Sequence, residues 1–338
     1  MDPAPSNAAA PDTATGRKPL DAAGRKPLDA ASLRRAAVRP GGLWRAVEVV
    51  DRTGSTNADL LARALGGAPE GVVLAAEEQR AGRGRMGRTW ASPPRAALTF
   101  SLLVRPAVPQ ARWGWLPLLT GVAVASAVTE VTGVETRLKW PNDVLAGSAK
   151  LAGILAEAAG GPKPAGGPKP AGGGKPASGA RTAGDAKPAG GAAAAGDAIV
   201  VGVGLNVSTE PGELPPPGPG ALPATSLRIV GWPAAKATDA ADTTDAPDRE
   251  PLLLAILDGF ERRYQAWRQA AGDPERSGLR AEYTTLSGTI GRRVRAELPG
   301  GQLLSGLAVG VDPDGRLLVR ASPGTELPVA AGDVVHLR

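Results

Sequence analysis

The apolar residues of the chain form short runs from residue 46 onward, and Gly, Pro, Asn and Asp residues separate one run from the next. Runs of this kind are typical of strands, and an unbroken apolar run is typical of a strand buried on both faces. The pattern predicts strands at 46–51, 71–78, 97–104, 136–140, 150–158 and 198–208.

Other apolar residues recur at the spacing of a helix. Residues 114–132 and 251–270 each carry apolar positions at intervals of three and four, which predicts two long helices with one buried face. Ser55 or Thr56 can cap a shorter helix that ends before two glycines.

The pattern changes near the C-terminus. A short helix is expected to end near Leu286, and from Thr289 onward short strands are separated by Gly, Pro and Asp turns. About 50 residues of this pattern predict a small β-barrel. We therefore expect a main domain at 43–287 and a small barrel domain at 288–338.

Two segments have low complexity. Residues 1–42 contain the octapeptide GRKPLDAA twice in tandem, at 16–23 and 24–31, and hold few large apolar side chains. We expect this leader to be disordered, with no room for a folded helix-turn-helix. Residues 160–197 are rich in Gly, Pro, Ala and Lys, and we expect a flexible insertion between two neighbouring strands.

The composition excludes several kinds of chemistry. The chain has no cysteine and one histidine, His336, which excludes disulfides, thiolate sites and multi-histidine metal sites. The excess of positive charge lies in residues 1–40 and 160–197, so the rest is neutral, which argues against a nucleic-acid partner. No signal peptide or apolar stretch of membrane-spanning length is evident, so we expect a cytoplasmic protein without a membrane partner.

Five segments carry residues suited to binding and catalysis. They are TGSTNADLL (53–61), GRGRMGRTWASP (82–93), LKWPNDVL (138–145), KLAGILAE (150–157) and VGVGLNVS (201–208). Glycine permits close approach of a ligand, and arginine donors match phosphate oxygens. Taken singly, each segment also has an ordinary explanation: a helix cap, a basic surface loop, a β-turn, a charged strand end and a glycine-containing core strand, respectively.

The order and combination of these segments resemble the biotin protein ligase family. The resemblance rests on STN, EEQRAGRGRMGRTWASP, KWPND, KLAGIL and VGLNV, and it covers about residues 43–338. It implies an α+β fold, in which a mixed-sheet catalytic domain of the class II aminoacyl-tRNA synthetase type at 43–287 precedes a small SH3-like barrel at 288–338. Some members of the family carry an N-terminal DNA-binding domain, but the leader expected here has no room for one, so the chain resembles the monofunctional class.

The resemblance implies roles for individual residues. The expected biotin-binding residues are Ser55, Thr56, Asn57, Gln79, Gly82, Arg83, Gly84, Arg85, Trp90, Lys150 and Gly153. The expected nucleotide-binding residues are Arg88, Lys139, Asn142, Asp143 and Asn206. Lys150, Arg83 and Arg85 are expected to be catalytic, with the glycine-arginine loop closing over the ligand. No metal site made of protein ligands is expected.

The implied reaction has two steps. The biotin carboxylate attacks the α-phosphate of ATP, with Mg²⁺, and the resulting biotinyl-5′-adenylate then transfers biotin to a lysine on the carrier domain of an acyl-CoA or pyruvate carboxylase. The implied ligands are therefore biotin, ATP and Mg²⁺. No enzyme nucleophile is required, which fits a chain with no cysteine and one histidine.

Two other functions remain open at this point. A lipoate or octanoate ligase has a related fold, although Ser55, Thr56, Asn57 and Gln79 suit a polar ureido group better than a plain acyl chain. A non-enzymatic nucleic-acid-binding protein would explain the arginine-rich loop and the pI of about 9.9, but the neutral body of the chain argues against it.

Overall fold

The computed structural model describes residues 24–159, 198–218, 221–232, 248–297, 302–322, 324–330 and 332–337. The insertion predicted at 160–197 and the first half of the predicted leader lie outside these residues. The helices are α1 (Ala30–Ala37), α2 (Thr56–Leu65), α3 (Trp115–Thr132), α4 (Arg249–Gln269) and α5 (Leu279–Leu286).

Strands β1 to β9 belong to the main domain. They are β1 (Ala46–Val50), β2 (Val72–Ala76), β3 (Gly82–Arg83), β4 (Thr89–Trp90), β5 (Ala97–Val104), β6 (Thr136–Lys139), β7 (Asp143–Ala146), β8 (Ala149–Ala158) and β9 (Ile199–Asn206). The six predicted strands of this part are confirmed, with small differences at their ends. The turn after Trp140 was predicted, but strand β7, which begins at Asp143, was not.

Seven of these strands form one mixed sheet in the order β1-β2-β5-β9-β8-β7-β6. Only β1 and β2 run parallel; the other neighbours are antiparallel. Strands β8 and β9 pair up to Ala158 and Ile199, so the segment 160–197 joins two adjacent strands, as predicted. This pairing also places the segments KLAGILAE and VGVGLNVS side by side.

Helix α3 lies in the core of the main domain. It packs against α4, α5 and the sheet, and side chains on all sides of it, among them Trp115, Leu119 and Val128, are buried. Residues Gln110–Thr132 are long and apolar enough to cross a membrane, yet 67% of the 18-residue apolar window within them is buried inside the protein. A helix that is apolar all round and covered by protein is a core helix.

The prediction of a disordered leader is wrong for residues 24–42. Asp29 caps helix α1 by accepting hydrogen bonds from two backbone amides, and Leu33 is fully buried. Arg25 is also buried and pairs with Glu213 at 2.6 Å. The low apolar content was misleading because two leucines and polar contacts with distant residues are enough to hold this segment to the main domain.

A buried ion pair also holds the N-terminal segment against the main domain. The carboxylate of Glu77, at the end of β2, lies 2.7 Å from Arg249 at the start of α4, and both side chains are almost fully buried. Glu77 also accepts a hydrogen bond from the backbone N–H of Leu28 at 2.6 Å. Arg249 donates to the backbone oxygen of Lys26 at 2.7 Å. The N-terminal segment, the sheet and α4 are therefore held by one charged pair.

The C-terminal part is an all-antiparallel β domain, in agreement with the predicted change of pattern. Its strands are β10 (Arg293–Glu297), β11 (Leu303–Val311), β12 (Leu317–Ser322), β13 (Thr325–Val329) and β14 (Asp333–His336), in the order β13-β12-β11-β10-β14. The domain holds Trp140 of the main domain at two points. The Thr289 hydroxyl accepts from the Trp140 backbone N–H at 3.1 Å, and the Gly315 carbonyl accepts from its indole N–H at 3.1 Å.

His336 lies at the junction between the two domains, and burial there changes its pKa. Its Nε2 lies 3.0 Å from the Thr289 hydroxyl. Burial, together with the charges of Lys139 and Arg292, lowers the pKa of His336 from 6.5 to about 4. Between these values the unfolded chain binds more protons than the folded chain, so stability is lost as the pH falls from about 6.5 toward 4.

We expect His336→Asn to remove this part of the pH dependence. Between pH 7 and pH 4.5 the unfolding free energy of the wild type should fall by about 1–2 kcal/mol more than that of the variant, a value reduced for the partial solvent exposure of the ring. Urea denaturation at several pH values measures the difference, because the carboxylates contribute equally to both proteins. Parallel curves for the two proteins would contradict the assigned pKa.

Candidate active site

A cavity of about 110 Å³ lies on one face of the main sheet, above β5, β9 and β8. The loop that contains β3 and β4 covers it. Twelve of the residues predicted for the site line this cavity: Ser55, Thr56, Asn57, Gln79, Arg83, Gly84, Arg85, Arg88, Trp90, Asn142, Lys150 and Gly153. The tertiary structure therefore brings together segments that lie far apart in the sequence.

The floor of the cavity consists of two rows of residues set by strand register. Ser101, Gly202 and Leu155 are direct neighbours across β5, β9 and β8. In the next row, Gly204 lies between Thr99 and Gly153. Because a glycine stands at the centre of each row, side chains from other elements can lie directly on the sheet.

Trp90 uses the space above the second row. A Cβ atom added to Gly204 would lie 2.3 Å from Cε2 of the indole, and one added to Gly153 would lie 3.6 Å from its Cζ3. The two glycines thus permit the indole to lie close to the backbone of β8 and β9. The indole Nε1 is buried and has no hydrogen-bond partner within the described part of the chain.

Asn57, near the start of α2, uses the space above the first row. A Cβ atom added to Gly202 would lie 2.2 Å from the Asn57 Oδ1. Asn57 Nδ2 donates to the Leu155 carbonyl at 3.1 Å and to Glu157 Oε2 at 2.8 Å. Ser101 donates to Asn57 Oδ1 at 2.6 Å.

Hydroxyl and amide groups gather at the end of the cavity beside α2. Ser55 is the N-cap of this helix, and its hydroxyl accepts from the Ala58 backbone N–H at 3.4 Å. The Gln79 Oε1 accepts from the backbone N–H and from the hydroxyl of Thr56, at 2.8 and 3.0 Å. Ser101 contacts the Thr56 hydroxyl at 2.7 Å. This end of the cavity is suited to a ligand group that both donates and accepts hydrogen bonds.

Positive charge lies at the opposite end. Lys150 Nζ lies 2.6 Å from Asp143 Oδ1, and Arg85 Nη1 lies 3.4 Å from Asn142 Oδ1. Burial lowers the pKa values of Arg85 and Lys139, and Asp143 raises both in part. The neighbouring cations add to the lowering for Lys139. A bound anion would reduce this repulsion, so the end is suited to phosphate.

The covering loop folds back on itself. Strands β3 and β4 pair Gly82 with Trp90, and Gly84 N–H donates to the Arg88 carbonyl at 2.7 Å. Met86, at the tip, has a φ of 55° and is 64% exposed. Arg83 lies 3.5 Å from Glu157, which attaches one side of the loop to β8.

Four predicted residues do not line the cavity. Gly82 supports Trp90 through the β3–β4 pair, and Lys139 and Asp143 pair across the β6–β7 hairpin, beside Lys150. Asn206 is buried and donates to the Thr225 carbonyl at 2.9 Å, so in this structure its amide nitrogen is engaged with the protein itself.

Sequence reasoning missed two polar residues of the site, Ser101 and Glu157. Ser101 lies in an apolar strand, where a single serine is unremarkable, and its importance depends on the register of β5 with β9. Glu157 continues the KLAGIL segment and was quoted within it without a role. Its position four residues after Gly153 on β8 places it on the same face of the strand, which a period-two argument could have indicated.

Comparison with known proteins identifies relatives over most of the chain. Residues 49–167 match the family described as "Biotin/lipoate A/B protein ligase family", and residues 289–337 match "Biotin protein ligase C terminal domain". The chain is 43% identical to the biotin--[acetyl-CoA-carboxylase] ligase of Mycobacterium tuberculosis, over 91% of this chain and 95% of that one. It is 28% identical to the bifunctional ligase/repressor BirA of Bacillus subtilis, over 76% of this chain and 64% of that one.

The fold is also similar to that of a solved structure. A biotin protein ligase from Aquifex aeolicus, in complex with biotin and ATP, superposes with a TM-score of 0.60 and 22% identity. The superposition covers 87% of this chain and all of that one.

The glycine floor can be tested with Gly204→Ala. The added methyl group would clash with the Trp90 indole, so we expect the unfolding free energy to fall by about 1–3 kcal/mol, as for other overpacked sites. In a Trp90→Ala background, which removes the indole, the same change should cost much less. Gly212→Ala is the control, since its Cβ would meet nothing within 4 Å. An equal cost of Gly204→Ala in both backgrounds would show that Trp90 does not lie on Gly204.

Proposed function

The chain belongs to the biotin protein ligase family, and on this basis we propose that it activates biotin with ATP and transfers the biotin to a lysine of a carboxylase carrier domain. The 43% identity to a biotin--[acetyl-CoA-carboxylase] ligase over nearly the whole chain supports the activity. The observation that carries the proposal is the cavity itself, which joins a neutral hydrogen-bonding end to a positively charged end.

Biotin would lie along the cavity with its two ends in these two environments. Its ureido ring both donates and accepts hydrogen bonds, which suits Thr56 and Gln79 at the neutral end. Its carboxylate would then reach the end that contains Lys150, with Trp90 and Gly153 beside the chain between them. A plain acyl chain would leave the polar groups at the neutral end unpaired, which costs binding energy.

The first step forms a mixed anhydride. A carboxylate oxygen of biotin attacks the α-phosphorus of ATP, the bond from that phosphorus to the bridging oxygen breaks, and pyrophosphate leaves with the electron pair. Magnesium enters as part of the substrate, Mg-ATP. Lys150 would move from Asp143 toward the reacting oxygens, and Arg83 and Arg85 would offset the negative charge that develops. Arg88, Lys139, Asn142 and Asp143 are proposed to lie on the nucleotide side.

The second step transfers the acyl group. The neutral ε-amine of the carrier lysine attacks the carbonyl carbon of biotinyl-5′-adenylate, an amide forms, and AMP leaves. The covering loop would keep water from the anhydride until the carrier arrives. We propose an acyl-CoA carboxylase carrier domain as the acceptor, by analogy with the name of the Mycobacterium tuberculosis relative. Two further points are predictions from the sequence: that a pyruvate carboxylase carrier domain is also an acceptor, and that the protein is cytoplasmic.

Exchange of labelled pyrophosphate into ATP tests the proposed chemistry. We expect exchange that depends on biotin, because formation of the adenylate is reversible while pyrophosphate is present. Lipoate and octanoate, offered in place of biotin, should not support it. Exchange with lipoate or octanoate but not with biotin would support the ligase chemistry and show that the substrate is not biotin. Absence of exchange with all three acids would refute the adenylation step.

Lys150 has a separate test. Lys150→Ala should slow biotin-dependent exchange by about 100-fold or more, since a positioned charge that stabilises the transition state is worth several kcal/mol. The melting temperature should change little, because the Lys150 side chain is partly exposed. Lys26→Ala, which removes an exposed lysine that also pairs with an aspartate, is the matched control. Exchange by Lys150→Ala at close to the wild-type rate would exclude the assigned role.

A further inference from the structure

We propose that Glu157 is a positioning residue that couples the floor of the biotin pocket to the covering loop. One carboxylate oxygen accepts from Asn57 Nδ2 at 2.8 Å, and the other lies 3.5 Å from Arg83 of the loop. The inference rests on the proposed function, because it assigns Glu157 a part in biotin binding and in retention of the adenylate.

The side chain of Asn57 is fully hydrogen-bonded within the protein. An asparagine side chain has two N–H donors and one carbonyl acceptor. Both of its donors are engaged, one with the Leu155 carbonyl and one with Glu157, and Ser101 donates to its carbonyl. Asn57 is also 4% exposed. Its amide therefore has no donor to offer a ligand, and its part in the site is to hold the start of α2 against the sheet.

Asn57 is connected to the other polar residues at the hydrogen-bonding end of the cavity. Thr56 precedes it on α2 and contacts Ser101, which is the same hydroxyl that donates to Asn57. Thr56 in turn positions Gln79 through two hydrogen bonds. If Asn57 lost its acceptor at Glu157, a buried N–H would be unpaired, and the hydrogen-bonding end of the cavity would shift or loosen.

Glu157 also contacts the covering loop. Arg83 is half exposed, and Glu157 is the carboxylate with which it pairs. Glu157 lies on β8, an interior strand of the sheet, so the ion pair ties a loop residue to the strand that also carries Lys150 and Gly153. One carboxylate thus serves two parts of the site that the sequence separates by about 25 residues.

Two substitutions separate these two contacts. Glu157→Gln retains an oxygen for Asn57 but removes the charge that attracts Arg83. We expect the KM for biotin to stay within about twofold of the wild type, while bound biotinyl-5′-adenylate dissociates about two- to fivefold faster, the range for a partly exposed ion pair. Glu157→Ala removes both contacts and should in addition raise the KM for biotin by about tenfold or more.

A double-mutant cycle tests whether Glu157 acts through Arg83. In an Arg83→Gln background, Glu157→Gln should not speed adenylate dissociation further. The effect of Glu157→Gln in the wild-type background should also shrink at high salt. Glu48→Gln is the matched control, because Glu48 is partly exposed and pairs with Arg63 at the far edge of the sheet. It should change neither the KM for biotin nor the dissociation rate of the adenylate.

The outcomes distinguish this inference from the proposed function. If the wild type shows no biotin-dependent exchange, the proposed function fails. If the wild type is active and both Glu157 variants retain its KM and its dissociation rate, the positioning role is overturned. It is overturned equally if Glu157→Gln raises KM as much as Glu157→Ala does, or if it speeds dissociation to the same extent with and without Arg83, since a merely structural residue would give those results.

Discussion

The register between β8, β9 and β5 is the constraint on which the site depends. It sets Gly204 beside Gly153 and Thr99, and Gly202 beside Leu155 and Ser101. A shift by one residue would turn each of these positions to the opposite face of the sheet. Buried apolar side chains on the other face of the same strands, such as Val201 and Val203, hold the register because they pack in the core. The packing of the core and the shape of the cavity therefore both depend on the same strand register.

The two rows of the floor give the cavity its two kinds of contact. Over the first row, Asn57 is held by hydrogen bonds on all sides, so the polar end is built from groups with fixed positions. Over the second row, the Trp90 indole packs on glycine backbone. A polar ligand head would meet preorganised partners, and the apolar part of the ligand would meet an aromatic ring and glycine backbone. Such preorganisation reduces the entropy lost on binding.

The charged end depends on contacts from more distant parts of the chain. The C-terminal domain holds Trp140 by its backbone and its indole, which fixes the hairpin that carries Lys139 and Asp143. Burial beside other cations lowers the pKa of Lys139, and Asp143 opposes that effect. The positive charges of Lys150, Arg88 and Arg85 contribute to the lowering, so these cations repel Lys139. A polyphosphate would relieve the repulsion, which is a physical reason for the cavity to bind one at this end.

The sequence by itself determined most of the strands and helices, because apolar periodicity reports directly on which residues are buried. It also determined the family, because five short motifs in a fixed order are specific in combination. It misjudged residues 24–42, since Arg25 and Leu28 are held by partners almost 50 or more residues away in the chain. Strand alternation could have placed Glu157 on the same face as Gly153, but only the tertiary structure decided that it pairs with Asn57 and Arg83, that Asn57 has no free donor and that Ser101 belongs to the site. The physical reason is that hydrogen-bond partners across a sheet follow from strand register, which local sequence does not encode.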